Sequence, residues 1–310
     1  MIIERQEDVT KAVLGELARA PNARFREVMG AFVRHMHDFV RESKLSEEEF
    51  RTALNYVVAL GKASNETHNE AVLIAGSLGL SSLVCLLNNG NGQTETDASL
   101  LGPFWRMHSP VTPNGGSIVR SATPGPALFV DAAFRDAQGR PIEGAEVDIW
   151  HSSTEGFYEN QDPVQADMNL RGKFFTDKDG RISFRSVKPA GYPIPIDGPT
   201  GELLRAQGRH NMRPAHLHFL AAKEGFKTLI SQIYVADDKF IDSDVQFGVT
   251  RHLIGDYVLH ENEKPPAPDV KGPWYSLKHD FVMEPGESRL PRAPISGKAQ
   301  GERPTIPHLA

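Results

Sequence analysis

Residues 215–222 read AHLHFLAA, and how this run folds decides what the second half of the chain is. Taken as a strand, it puts His216 and His218 on one face and Leu217 and Phe219 on the other, because successive strand side chains point to opposite sides. Its neighbours share the texture: ALFVDAAF (127–134), AEVDIWH (145–151), RISFRSV (181–187) and TLISQIYV (228–235) are short alternating runs separated by Gly, Pro and Asp clusters. Period-two alternation with this punctuation predicts an antiparallel sandwich or barrel.

Upstream the period changes. From about residue 7 to 90, apolar residues recur at three- and four-residue spacing, as in Phe25, Val28, Met29, Phe32, Val33, Met36 and Phe39, which predicts amphipathic helices. Ser46 followed by Glu49 is a capping box that opens another helix, SEEEFRTALNYVVALGKA. The expected class is α+β: a helical N-terminal region over 1–105, an antiparallel β-sandwich over 106–290, and a Pro-rich tail over 291–310 that wraps the surface or stays loose.

Composition narrows the function. The chain has 310 residues, 34 basic against 40 acidic, and its basic residues are scattered, which argues against a nucleic-acid surface and for a small-molecule partner. The one cysteine, Cys85, sits in LVCLL and reads as a buried thiol, and with no signal-peptide pattern at MIIERQEDVTK the expected compartment is the cytoplasm. The uncharged run AVLIAGSLGLSSLVCLL (71–87) carries Gly and Ser throughout and reads as a buried helix pair.

Two His-x-His pairs compete as metal ligands. His35 and His37 lie in a helical run, where residues two apart diverge by about 200°, so they cannot share an ion. His216 and His218 lie on one strand face about 7 Å apart and can. That spacing also occurs in strands that bind nothing, so further ligands are needed. Carboxylates lie nearby in loop-like stretches (Asp197, Glu202, Asp237, Asp238), and two tyrosines stand in unusual settings: Tyr158 in HSSTEGFYENQDP and Tyr192 in KPAGYPIP. Each tyrosine alone reads equally as a core or turn residue. Phenolate, a hard anionic ligand, suits ferric iron better than zinc. TDKDGRISFRSVK begins like a calcium loop, but Arg181 and Lys188 stand where ligands are needed, and a hairpin turn explains it better.

The ordered set LLGPFW, DIWHSSTEGFY, YPIPIDGPTGELL, GRHNMRPAHLHF and IDSDVQFGV resembles the intradiol ring-cleaving dioxygenases of the catechol and hydroxyquinol 1,2-dioxygenase group, over nearly the whole chain. The resemblance implies one non-haem Fe(III) per chain held by Tyr158, Tyr192, His216 and His218, with Tyr192 the ligand that substrate displaces. It implies Arg213 beside the substrate and Gln232 near the iron-bound ligand as catalytic residues, and cleavage of an aromatic diol by O2 to a muconate-type diacid. It also implies a homodimer formed through the N-terminal helices, whose interface can hold a lipid. His210 and His151 fall outside the family's ligand positions and read as structural, His151 supporting the loop that carries Tyr158.

Pocket candidates are Leu73, Gly76, Leu100, Leu101 and Arg213. YPIPIDGPTGELL resembles the hydroxyquinol branch. Gly76 and Cys85 stand where that branch often has Asp, which leaves catechol or a substituted catechol as the alternative. A non-catalytic sandwich module and a zinc hydrolase are the more distant readings, the latter without an HExxH or a third spaced ligand.

Overall fold

The computed structural model describes residues 2–89 and 96–309. The chain forms two compact units, Met1–Val58 and Ala59–Ala310. The first carries α1 (Gln6–Leu17), α2 (Ala23–Ser43) and most of α3 (Glu47–Ala63). Asn22 caps α2 by accepting from Phe25 N, and the Ser46/Glu49 box forms as expected, with reciprocal bonds of 2.8 and 3.2 Å. One apolar stripe of this unit stays exposed: Phe25, Val28, Phe32, Met36 and Phe39 on α2, and Phe50, Leu54 and Val57 on α3.

The second unit begins with a helix pair, α4 (Glu70–Ser77) and α5 (Leu80–Asn88), bent by 78° where Gly79 takes the left-handed conformation. Among the described residues no single helix is long and apolar enough to cross a membrane. Although the helical texture groups α4 and α5 with the N-terminal helices, they fold with the sheets. The buried Glu70 carboxylate accepts from Thr200 N at 2.7 Å, at the start of α6 (Pro199–Ala206). Cys85 is half-buried rather than enclosed, with Sγ 3.4 Å from the Ser99 carbonyl.

The strands are β1 (Ala127–Asp136), β2 (Glu146–Trp150), β3 (Arg171–Phe175), β4 (Arg181–Val187), β5 (Tyr192–Pro193), β6 (Met212–Arg213), β7 (His216–Ala222), β8 (Leu229–Val235), β9 (Ile254–Gly255), β10 (Tyr257–His260) and β11 (Trp274–Met283). They form a four-stranded sheet (β10-β11-β1-β4), a five-stranded sheet (β3-β2-β7-β8-β9) and the small pair β5-β6. The two larger sheets share a core in which Phe174 stacks on Phe184 and Phe219 meets Phe281 at 4.7 Å. Two pairings, β1 with β11 and β8 with β9, are parallel, so the sandwich is mixed where alternation alone suggested antiparallel sheets throughout.

The Asp177–Arg181 turn forms, with Asp177 accepting from Asp179 and Arg181, but it is not a hairpin within one sheet: β3 and β4 belong to opposite sheets, and the turn carries the chain between them. The C-terminal segment is tied down. Ile295 is buried, Lys298 donates to the Glu159 and Asp162 carbonyls, Arg303 pairs with Asp162, and Leu309 N bonds Asn211.

Candidate metal centre

β7 is buried on both faces, and its two sides do different work. Leu217, Phe219 and Ala221 enter the sandwich core, while His216 and His218 project to the opposite side, under the loops. Register fixes their neighbours: His216 pairs with Tyr234, and His218 lies between Gln232 on β8 and Trp150 on β2. The Trp150 indole stacks on the His218 ring at 4.4 Å, which sets the ring plane. The β5-β6 pair places Tyr192 opposite Arg213, and the loop after β2 brings in Tyr158, its backbone N–H held by Gln161 Oε1 at 3.1 Å.

Four side chains meet here. Tyr158 Oη lies 3.0 Å from His218 Nε2, 3.4 Å from His216 Nε2 and 3.3 Å from Tyr192 Oη, and the two Nε2 atoms are 3.1 Å apart. All four residues are about 1–2% exposed. His216 Nδ1 lies 2.7 Å from the Pro214 carbonyl and must donate to it, so Nε2 carries a lone pair. Burial and the neighbouring Arg213 guanidinium push the His216 pKa down to about 3, and burial with His216 and Arg213 lowers His218 well below the ordinary range. Burial raises both tyrosines, Tyr158 strongly.

Two imidazole nitrogens and two phenol oxygens thus converge on one buried point, and His218, whose Nδ1 has no hydrogen-bond partner among the described residues, can turn an Nε2 lone pair toward it when Nδ1 carries the proton. Donor spacings near 3 Å are those that neighbouring ligands of one first-row metal ion keep, with metal–ligand bonds of about 2 Å. Among the described residues no group of three His, Cys, Asp or Glu gathers to hold a metal, so the set is not of the usual zinc kind. A multiply charged ion reverses the tyrosines' preference by favouring phenolate. The donor set therefore fits a hard cation such as ferric iron.

Arg213, 2% exposed, is held by Asp244 through Nε (3.0 Å) and Nη2 (2.9 Å), while Nη2 also reaches Gln232 Oε1 and the Tyr234 hydroxyl. Its Nη1 faces the cluster, 3.4 Å from His216 Nε2. Gln232 links this arginine to the loop before β1, its amide donating to the Leu100 carbonyl at 2.5 Å. Beside the cluster lies a cavity of about 650 Å3 whose lining includes Val72, Cys85, Leu100, Leu101, Gly102 and Gln246. A Cβ on Gly102, which adopts φ +71°, would lie 3.5 Å from His218 Cε1, so this wall rests on the metal-facing ring. Leu73 and Gly76 are buried on α4 and do not line that cavity.

The remaining histidines lie apart from the cluster. His151 bonds the Ser152 carbonyl and the Ser186 hydroxyl at the root of the Tyr158 loop, and burial lowers its pKa to about 4. His210 accepts from Met212 N, and His37 meets Thr10. Sequence reading missed Asp244, Tyr234 and Trp150 as parts of the site. Each lies within a quoted motif or alternates with a residue singled out, Tyr234 with Gln232 and Asp244 inside IDSDVQFGV.

A mixed sandwich bearing a buried His–His–Tyr–Tyr cluster has the make-up of a metal centre, and this chain belongs to the intradiol ring-cleavage dioxygenase family, whose members are oxidoreductases: the family described as dioxygenase matches residues 101–285 and the catechol dioxygenase N terminus matches residues 22–96. It is 38% identical over 282 residues to hydroxyquinol 1,2-dioxygenase of Rhizobium sp., spanning 90% of this chain and 95% of that one. It is 35% identical over 295 residues to catechol 1,2-dioxygenase of Candida albicans, spanning 94% and 96%. The crystal structure of hydroxyquinol 1,2-dioxygenase from Pseudomonas putida superposes with a TM-score of 0.81 at 34% identity, covering 91% of this chain and 99% of that one.

Proposed function

We propose that the protein cleaves the ring of a catechol-class diol between its two hydroxylated carbons, using O2 at one ferric ion per chain, and that its substrate is hydroxyquinol. The observation that carries this reading is the meeting of two imidazole Nε2 atoms and two phenol oxygens within 3.0–3.4 Å in a site closed to water. Tyr158, Tyr192, His216 and His218 hold the iron, which when bound supplies a Lewis acid and a template for the diolate.

Tyr158 stays in place because it touches both histidines, whereas Tyr192 touches only Tyr158 among the other three by hydrogen-bond distance. Tyr192 would be the more weakly tied of the two tyrosine ligands to a bound ion, and burial raises its pKa, so its phenolate would be a base able to take a proton from an incoming hydroxyl. Arg213, kept charged by Asp244, faces negative charge developing on the ring. Phe104, Trp105, Trp150, Ile194 and Ile196 form the apolar shell that excludes water.

Similarity to the Rhizobium and Pseudomonas putida proteins supports the hydroxyquinol reading. Leu100 and Leu101 on the cavity wall favour the alternative, catechol with an alkyl or chloro substituent. Oxygen uptake and product analysis with hydroxyquinol, catechol, 4-methylcatechol and a chlorocatechol test both. Fastest turnover of hydroxyquinol is expected, and cleavage of catechols alone contradicts it. The exposed stripe on α2 and α3 supports a homodimer through these helices, with a lipid between the stripes. Sedimentation and lipid extraction of the purified protein test this, and a lipid-free monomer contradicts it.

A further inference from the structure

Arg171 is buried in the floor of the cluster. Register sets Arg171 on β3, Trp150 on β2, His218 on β7 and Gln232 on β8 in one row across the five-stranded sheet, and residues directly opposite one another project to the same face. Trp150 lies between the two, stacked on the His218 ring on one side and paired with Arg171 on the other.

The guanidinium grips the two residues that directly follow Tyr158. Its Nε donates to Glu159 Oε1 at 2.6 Å and its Nη2 to Asn160 Oδ1 at 3.0 Å, and all three residues are buried. Arg106 Nη1 donates to the same Glu159 oxygen at 2.8 Å and also to Asp167. A buried ion pair is often no more stabilising than well-packed apolar side chains, whereas the planar fork of an arginine fixes direction, so the arrangement points to orientation rather than to stability. The chain enters β3 through Met168 and Leu170, both in the left-handed region at φ +58°, a conformation that non-glycine residues keep only where their surroundings over-determine it. Asn169 between them is held by Thr123, Gln165 and Arg120 N. Tyr192 is flanked by Gly191 and Pro193, whose side chains offer nothing to grip.

We propose that Arg171 is a positioning residue that makes Tyr158 the firmly held one of the two tyrosines: by gripping Glu159 and Asn160 it keeps the Tyr158 oxygen against both imidazoles whatever Tyr192 does. This rests on the metal-centre reading above and adds what makes the two tyrosines unequal.

The test combines Arg171→Met with Glu159→Gln, which removes the grip without leaving a buried carboxylate unpaired and keeps an acceptor for Arg106. Fluorotyrosine at position 158 or 192 reports each ring separately by fluorine NMR of the metal-free protein. The line at 158 is expected to broaden or split in the variant while that at 192 stays single, and a chelator should strip iron from the loaded variant about tenfold faster than from the parent. Arg171→Lys, which keeps the charge but not the fork, is expected to disturb the same line alone. A line at 158 identical to the parent's in both variants overturns the proposal. So does an equal change at both positions, because a residue that merely supports the fold loosens both tyrosines together. A parent protein that takes up no iron contradicts the metal reading, whereas the two lines, recorded without metal, test the grip on Tyr158 by itself.

Discussion

Asp244→Asn tests the buried charge pair on which the substrate side of the site depends. The Asp244 carboxylate receives four hydrogen bonds: Arg213 Nε and Gln246 N at Oδ1, and Arg213 Nη2 and Gly248 N at Oδ2, all between 2.9 and 3.1 Å. Asparagine keeps the shape, but its NH2 then faces donors, and the guanidinium loses its counter-charge in a place with almost no water. Removing one partner of a buried pair costs about 3–5 kcal/mol, and at about 2–4 °C per kcal/mol for a unit of this size the melting temperature should fall by roughly 6–20 °C. The effect carries a pH signature. Burial by itself raises the Asp244 pKa, but Arg213 and the two backbone N–H groups lower it overall. A carboxylate with a depressed folded pKa contributes stability above its unfolded value, near 4, and loses it as pH falls through the folded value. Melts followed by circular dichroism should therefore show a wide gap between parent and variant at pH 7 that closes under acid conditions. A fall below about 2 °C at pH 7, or a gap independent of pH, refutes the assignment.

Tyr158→Phe and His216→Ala should each weaken iron binding at least about 100-fold, more than loss of a supporting residue causes, whereas His35→Ala on α2 should retain parental iron; equal metal content in all three contradicts the site. Asp148, buried, with a 3.4 Å contact from Trp105 Nε1 at Oδ2 and no partner at Oδ1, has its pKa raised to about 6 by burial, which outweighs the Lys173 charge and the hydrogen bonds from Trp105 and Ser109. A raised carboxyl pKa favours the fold below the unfolded value and costs stability as pH climbs through about 6, so Asp148→Asn should gain on the parent between pH 4 and 6 and level off near 3 kcal/mol; denaturant midpoints at pH 4 and 8 check this, and a constant difference refutes it. Ending the chain after Pro294 removes Ile295 and the Lys298 and Arg303 ties to the Tyr158 loop. Ile295 burial alone is worth about 2 kcal/mol, so the melting point should fall by at least about 4 °C with faster iron loss to a chelator; unchanged values deny the segment any role.

What could be read from sequence was what is local. The period of two in AHLHFLAA placed His216 and His218 on one face, and the period near four upstream gave α2, because both patterns report the geometry of a single element. Ser46 and Glu49 likewise announce a helix start from three residues' separation. Tyr158 lies in an irregular loop where periodicity says nothing, and its place beside the histidines came only from the family resemblance. The bond from Asp244 to Arg213, that from Glu70 to the start of α6, and the parallel pairing of β1 with β11 all join distant parts of the chain, which no local pattern encodes. The Asp177–Arg181 turn makes the same local hydrogen bonds whether its strands pair or part, so it read as a hairpin. The Pro-rich C-terminal segment has the composition of a loose tail, yet a few anchors, Ile295, Lys298, Arg303 and Leu309, are enough to fix it.

The central claim is that Tyr158, Tyr192, His216 and His218 hold one ferric ion at which a diol ring is opened by O2. Metal analysis and the visible spectrum of the protein as purified test it most directly. The account predicts about one iron per chain and a wine-red tyrosinate-to-Fe(III) charge-transfer band that changes when hydroxyquinol is added without oxygen. A folded, colourless protein that takes up no iron contradicts it.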